Sequence, residues 1–180
     1  MDNAELEKLK YPIGKFAWPE SVDDKSLQQH LDDIETLPVK LKAAVKGLTE
    51  DQLNTPYRPD GWTVKQVVHH VCDSHLNSYI RFKWALTEDT PTIKAYVQSK
   101  WAGLKEYELL SVDDSLTFLE ALHKRLVILL RSLTNEELER EFIHPEMKTK
   151  IKLRNNIALY GWHSKHHTAH ITSLRERNGW

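Results

Sequence analysis

Apolar residues recur at three- and four-residue spacing over four long stretches, Lys25 to Gly47, Thr63 to Glu88, Asp113 to Ser132 and Leu153 to Arg177. A helix advances about 100° per residue, so that spacing gathers the apolar side chains on one face. In the second stretch the stripe is Val64, Val67, Val68, Val71, Tyr79, Phe82 and Leu86. Two-residue alternation is almost absent, and the pattern predicts an all-α fold, a four-helix bundle with short extra helices. Thr63 is placed to cap the second helix, and Gly179 follows a basic last turn containing Arg175 and Arg177, as helix ends prefer. Pro38 lacks an N–H and crowds the preceding turn, so a kink or restart is expected in the first helix. Phe142, Ile143, Met147 and Ile151 alternate enough within Glu141 to Lys152 to predict a small hairpin before the last helix. Residues 1–22 read as an irregular N-terminal arm, with Tyr11 to Pro19, which holds two prolines and a glycine, lying across the bundle.

A faint repeat organises these elements. Leu48-Thr49-Glu50-Asp51-Gln52-Leu53 parallels Leu133-Thr134-Asn135-Glu136-Glu137-Leu138, and Tyr57 parallels Phe142 at the same offset. Both copies have the form of a helix-starting cap, in which Thr and a Gln or Glu three residues later satisfy each other's backbone donors. A long helix precedes each copy and a histidine-bearing helix follows it. The expected arrangement is two helical hairpins in tandem, with their second helices facing each other.

With 180 residues the chain reads as one domain, residues 1–180, large enough to fold on an apolar core without metal or disulfide staples. Its 25 basic and 26 acidic residues are interspersed, with no basic block or aromatic-interleaved stripe to track a phosphate backbone, which argues against nucleic acid as a partner. The first ten residues lack an apolar signal region and no run of about 18 apolar residues occurs, so the expected location is the cytoplasm, away from membranes. A single cysteine, Cys72, excludes an internal disulfide and a thiolate-rich zinc site. It lies on a different helix face from His70 and reads as a buried thiol.

Seven of the ten histidines fall in two short stretches, His69, His70 and His75, then His163, His166, His167 and His170. His163, His167 and His170 share a helix face with Tyr160, Ile171 and Leu174, whereas His166 is displaced toward the flank. His163 and His170 are separated by roughly 10 Å along the axis, so any chelating pair includes His167, with either His163 or His170. A third imidazole from the other helix would complete a three-histidine set with a coordination position open for water or substrate. His69 and His70 border opposite sides of the second helix's apolar stripe, and periodicity alone does not choose between them. His70 shares its border with Ser74, Asn77 and Arg81, a polar strip that could line a pocket, and is preferred on that ground. Ser164 stands where the catalytic glutamate of a His-Glu-x-x-His peptidase would be, and no Gly-x-Ser-x-Gly elbow or glycine-rich phosphate loop occurs.

Several stretches together resemble the DinB/YfiT superfamily of metal-binding four-helix bundles, in particular its YfiT-like branch. They are Tyr11-Pro12-Ile13-Gly14, Gly61-Trp62-Thr63-Val64-Lys65-Gln66-Val67-Val68-His69-His70, Asp73-Ser74-His75, Asn77-Ser78-Tyr79-Ile80-Arg81-Phe82-Lys83 and Trp162-His163-Ser164-Lys165-His166-His167-Thr168-Ala169-His170-Ile171. The resemblance covers nearly the whole chain. It implies a metal triad of His70, His163 and His167 holding one divalent ion per chain, zinc or nickel. It also implies either metal-dependent hydrolysis with an activated water or S-transfer of a low-molecular-weight thiol such as bacillithiol. A stress-related metal-binding bundle without turnover is the further alternative, in which His166 or His170 would close the site as a fourth ligand. Partners implied are a small-molecule electrophile or thiol and a second copy of the chain in a homodimer. Asp73 and His75 lie near the triad as possible proton-handling or orienting groups, Tyr160 sits one turn before His163 as a possible donor, and Arg81 could hold an anionic substrate. The ordinary alternatives are a solvated helix residue for Asp73, His75 and Arg81, and a core tyrosine for Tyr160.

Overall fold

A computed structural model describes residues 2–180. Helix α1 spans Asn3–Lys10 and is followed by α2 (Asp24–Val45), α3 (Glu50–Leu53), α4 (Val64–Thr87), α5 (Gln98–Trp101), α6 (Lys105–Leu109), α7 (Val112–Arg131) and α8 (Asn135–Leu138). Strands β1 (Glu141–His144) and β2 (Thr149–Lys152) then lead into α9 (Leu153–Asn178). The long helices α2, α4, α7 and α9 coincide with the four periodic stretches. Thr63 caps α4 in a full capping box with Gln66, and Gly179 ends α9 in the left-handed region at φ 67°. There a side chain would be strained, which is why glycine suits the position. The hairpin pairs Phe142 with Ile151 in antiparallel register. No helix among the described residues is long and apolar enough to cross a membrane.

Three expectations are corrected. Residues 3–10 are not irregular but form α1, started by a capping box between Asp2 and Glu5. Helix α2 does not restart at Pro38, because one missing backbone bond is outweighed by burial of Leu37, Pro38 and Leu41 along the same helix. The repeat is present as local structure, Thr49 with Gln52 and Thr134 with Glu137 both forming capping boxes. Its long helices nevertheless do not pair as two hairpins. Helix α2 packs against α9 and α7, and α4 packs against α7 and α9, so the two members of each expected hairpin, α2 with α4 and α7 with α9, lie diagonally across the bundle. The segments 46–63 and 132–152, each carrying a short capped helix, are long enough to cross the bundle end. The two histidine-bearing helices, α4 and α9, are neighbours, as the metal reading requires.

The apolar core comes in two parts. One end holds Leu31, Ile34, Phe82, Leu126, Phe142 and Ile157, and the other holds Leu41, Val64, Val67, Val71, Leu119 and Ile171. Between them, at mid-length of the bundle, lie the buried histidines of α4, α7 and α9.

Helices α2 and α9 come into close contact at Gly161. A Cβ there would sit 2.8 Å from Nδ1 of His30 and 2.9 Å from its Cα. Because the obstruction includes backbone, rotation of one side chain does not relieve it. Gly161→Ala should therefore destabilise the protein by about 1–3 kcal/mol despite the better helix propensity of alanine. Urea unfolding followed by circular dichroism checks this, and an unchanged or raised midpoint would show that the helices can separate freely.

Candidate metal centre

The i, i+4 spacing on α9 stacks His163 and His167 with ring centroids 4.4 Å apart. From α4, His70 meets both, at 4.8 Å from His167 and 5.5 Å from His163. One ring nitrogen from each of the three lies within 4.8 Å of the others. His70 is 1% exposed, and His70 Nε2 and His167 Nδ1 are buried without a hydrogen-bond partner. Unsatisfied buried imidazole nitrogens are costly unless something fills them, and a three-imidazole set is a donor set for zinc, nickel, copper or iron. The residues present fit a divalent ion. His69 faces the other way, with its Nδ1 2.8 Å from the Ser115 hydroxyl on α7.

Behind His163 runs a chain that sequence reasoning missed. His163 Nδ1 lies 3.3 Å from His75 Nε2, His75 Nδ1 lies 3.1 Å from His123 Nε2, and His123 Nδ1 lies 2.9 Å from the Ile34 carbonyl on α2. A carbonyl only accepts, so His123 carries its hydrogen on Nδ1. Its Nε2 must then accept from His75 Nδ1–H, and His75 Nε2 from His163 Nδ1–H. The backbone of α2 thus sets the tautomer of His163 through two intervening rings and leaves the His163 Nε2 lone pair free for the cluster. Such outer partners orient metal-binding histidines and raise their basicity. His123 was legible only as the one histidine within the Leu119, Leu122, Leu126 stripe of α7.

Ser74 and Tyr160 flank the same nitrogen. The Ser74 hydroxyl lies 3.4 Å from His163 Nε2 and 3.3 Å from the Tyr160 hydroxyl, which donates to the Ser74 carbonyl at 3.1 Å. Tyr160 is therefore beside the cluster, and His75 touches it directly. The Asp73 carboxylate is turned instead to the Tyr107 hydroxyl and makes no hydrogen bond to the three histidines. Burial, opposed by Tyr107, raises its pKa. Arg81 is buried at 9% exposure on the far side of Ser74 along α4. Cys72 is buried as expected, and burial pushes its thiol up to about 12, which removes it as a nucleophile.

His170, the alternative partner of His167, and His166, placed toward the flank, form a second group with His167, and the two groups share only that residue. His166 stacks on Trp162 at 4.3 Å, and His170 stacks on Tyr57 at 3.9 Å while its Nε2 donates to the Lys10 carbonyl at 3.0 Å. The N-terminal arm thereby covers this end of the histidine face, with Phe16 against Trp162.

Burial holds the whole layer unprotonated. Desolvation lowers His70, His123 and His170 to about 4 and His166 to about 3, and puts His75, His163 and His167 well below the usual range. The unfolded chain protonates these rings near pH 6.5 and so binds more protons than the fold below that pH. Stability of the metal-free protein is accordingly full above about pH 6.5 and lost as the pH falls toward 4. Each ring that stays neutral in the fold steepens the loss by about 1.4 kcal/mol per pH unit. Urea midpoints measured from pH 7.5 to 4.5 should fall sharply below 6.5, and a flat profile would mean that the layer is hydrated.

A family model described as the DinB superfamily matches residues 33–171. A protein of Bacillus cereus (strain 03BB102) named "Putative metal-dependent hydrolase" is 54% identical over 175 residues, covering 97% of this chain and all of the relative. A relative of the same description from Bacillus mycoides (strain KBAB4) is 53% identical over the same length. Among solved structures, YfiT from Bacillus subtilis, described as a probable metal-dependent hydrolase with an unusual four-helix bundle topology, superposes with a TM-score of 0.93. It is 48% identical over 96% of this chain and 99% of that one. The diagonal placement of α4 from α2 and of α9 from α7 is in keeping with that description, and with a family model spanning most of its length the chain belongs to the DinB superfamily.

Proposed function

We propose that the protein is a metal-dependent hydrolase in which His70, His163 and His167 hold one divalent ion, zinc or nickel, with a coordination position left for water or substrate. The observation that carries this reading is the convergence of three neutral imidazoles from α4 and α9, one with its tautomer imposed through His75 and His123. The names of the relatives agree with it. A divalent ion held there supplies Lewis acidity that brings the pKa of water to about 7. The remaining work falls to the chain. His75 and His123 keep His163 in the tautomer that presents Nε2. Ser74 and Tyr160 form a hydroxyl pair beside that nitrogen, placed to pass a proton to a leaving group. The apolar clusters above and below keep bulk water out, which strengthens each polar interaction between them. Separation of His166 and His170 into a second group supports an open position over a fourth protein ligand.

A second reading, S-transfer of a low-molecular-weight thiol, uses the same three histidines and is favoured by the buried Arg81, a cation suited to a thiol's carboxylates.

Protein purified without an affinity tag should carry about one zinc or nickel per chain by elemental analysis. His167→Ala should lose it while keeping helical circular dichroism, since the apolar clusters do not depend on the ion. His75→Phe should retain the fold and weaken the metal by about 10–100-fold. Chain that binds no divalent metal sinks both enzyme readings. With metal bound, turnover of electrophiles that requires bacillithiol and stops in His70→Ala would move the assignment from hydrolase to transferase.

A further inference from the structure

Arg81 takes part in no ion pair among the described residues. Its guanidinium makes one hydrogen bond, from Nη2 to the Lys94 carbonyl at 3.4 Å, and its Nε is buried with no partner. An uncompensated buried cation is among the costliest features a fold can carry. Two further buried polar groups feel its charge, His144, whose Nδ1 has no partner, and Tyr96, whose hydroxyl has no partner within 3.5 Å and reaches only toward Ser74. They are brought there by backbone pairing, as Ile93 N–H donates to the Ile143 carbonyl at 3.0 Å and Ile143 N–H donates to the Pro91 carbonyl at 2.9 Å. Tyr96 lies two residues beyond Lys94, and His144 directly follows Ile143.

We infer that Arg81, Tyr96 and His144 form a subsite for an anionic group, a carboxylate or a phosphate, on the substrate handled at the histidine cluster. Each of the three can present a hydrogen at the unsatisfied atom, and only a group rich in acceptor oxygens satisfies all of them while neutralising the guanidinium. The approach is built for an anion as well. A cleft of about 450 Å³ beside α4 meets this group at Tyr96, and its lining sets Lys94 and Lys100 among apolar side chains such as Trp84 and Trp101, with no acidic residue. A cleft of one sign concentrates ligands of the other. The subsite also adjoins the reacting region, because Tyr96 lies near Ser74 and Tyr160 as well as Arg81: burial, Tyr160 and Asp73 raise its phenol, and a hydrogen bond with Ser74 and the Arg81 charge oppose them. A substrate with its anion at Arg81 would extend past Tyr96 toward Ser74 and the three histidines.

The inference takes its substrate from the enzyme reading, whereas anion binding itself needs no metal, so the two can fail separately. The probes are inorganic phosphate in one arm and acetate in the other, titrated into the full chain while the Arg81 Nε–Hε resonance is followed by NMR, its assignment given by its loss in Arg81→Lys. A saturable shift of that signal is expected in at least one arm, phosphate alone identifying a phosphoryl subsite and acetate alone a carboxylate subsite. Tyr96→Phe, which removes the hydroxyl and keeps the ring, should weaken the saturating anion about ten-fold. His70→Ala should lose metal and keep the anion. Lack of saturation in both arms, or equal affinity in Tyr96→Phe and wild type, would overturn the subsite whatever the metal content. A saturable shift in a chain that takes up no metal would leave the subsite standing and remove the enzyme reading.

Discussion

The structure depends on a layer of imidazoles that must stay neutral at the centre of the bundle. His70, His75, His123, His167 and His170 are each less than 9% exposed and lie between two apolar clusters that have no use for charge. Protonating any ring there would set a cation in a medium that solvates it poorly, and protonating a second would add repulsion between like charges. Neutral imidazole, unlike imidazolium, offers a lone pair. The same desolvation that keeps the core intact thus makes these nitrogens available as ligands, and stability and site chemistry share one cause.

That constraint explains why the layer is wired and not merely packed. A neutral imidazole has one donor and one acceptor, so a row of them is satisfied only if every ring adopts the same tautomeric sense. The Ile34 carbonyl supplies the direction, His123 and His75 transmit it, and His163 delivers it as a free Nε2. Three helices contribute rings and a fourth contributes the carbonyl. Gly161 belongs to the same requirement, since α9 must come close against His30 of α2 for the bundle to keep its width at this level.

The diagonal order of the helices has a functional reading. Hairpin pairing within each repeat copy would need only short connections. The long crossings instead leave α4 and α9 side by side, and their ends carry the small elements that frame the centre. The hairpin and the segment after α4 bring His144 and Tyr96 to Arg81, while the N-terminal arm covers His166 and His170. Of the twelve buried polar atoms without hydrogen-bond partners among the described residues, seven belong to His70, Arg81, Tyr96, His144, His166, His167 and His170, a concentration that calls for a ligand or ion to satisfy it.

Much of this was legible in the residues themselves. The four long helices, the caps at Thr49, Thr63 and Thr134, the stop at Gly179, the hairpin and the His163–His167 pair all follow from local rules. Helical period, cap chemistry and i, i+4 contact are properties of a short stretch of chain. The choice of His70 over His69 was only leaned toward by its polar border, because both flank the stripe and the neighbouring helix decides which one turns to α9 and which to Ser115. The helix order around the bundle, the role of His123 and the isolation of Arg81 were decided by tertiary structure alone. Each depends on which distant side chain arrives opposite, and periodicity along one helix carries no information about its neighbour across the core.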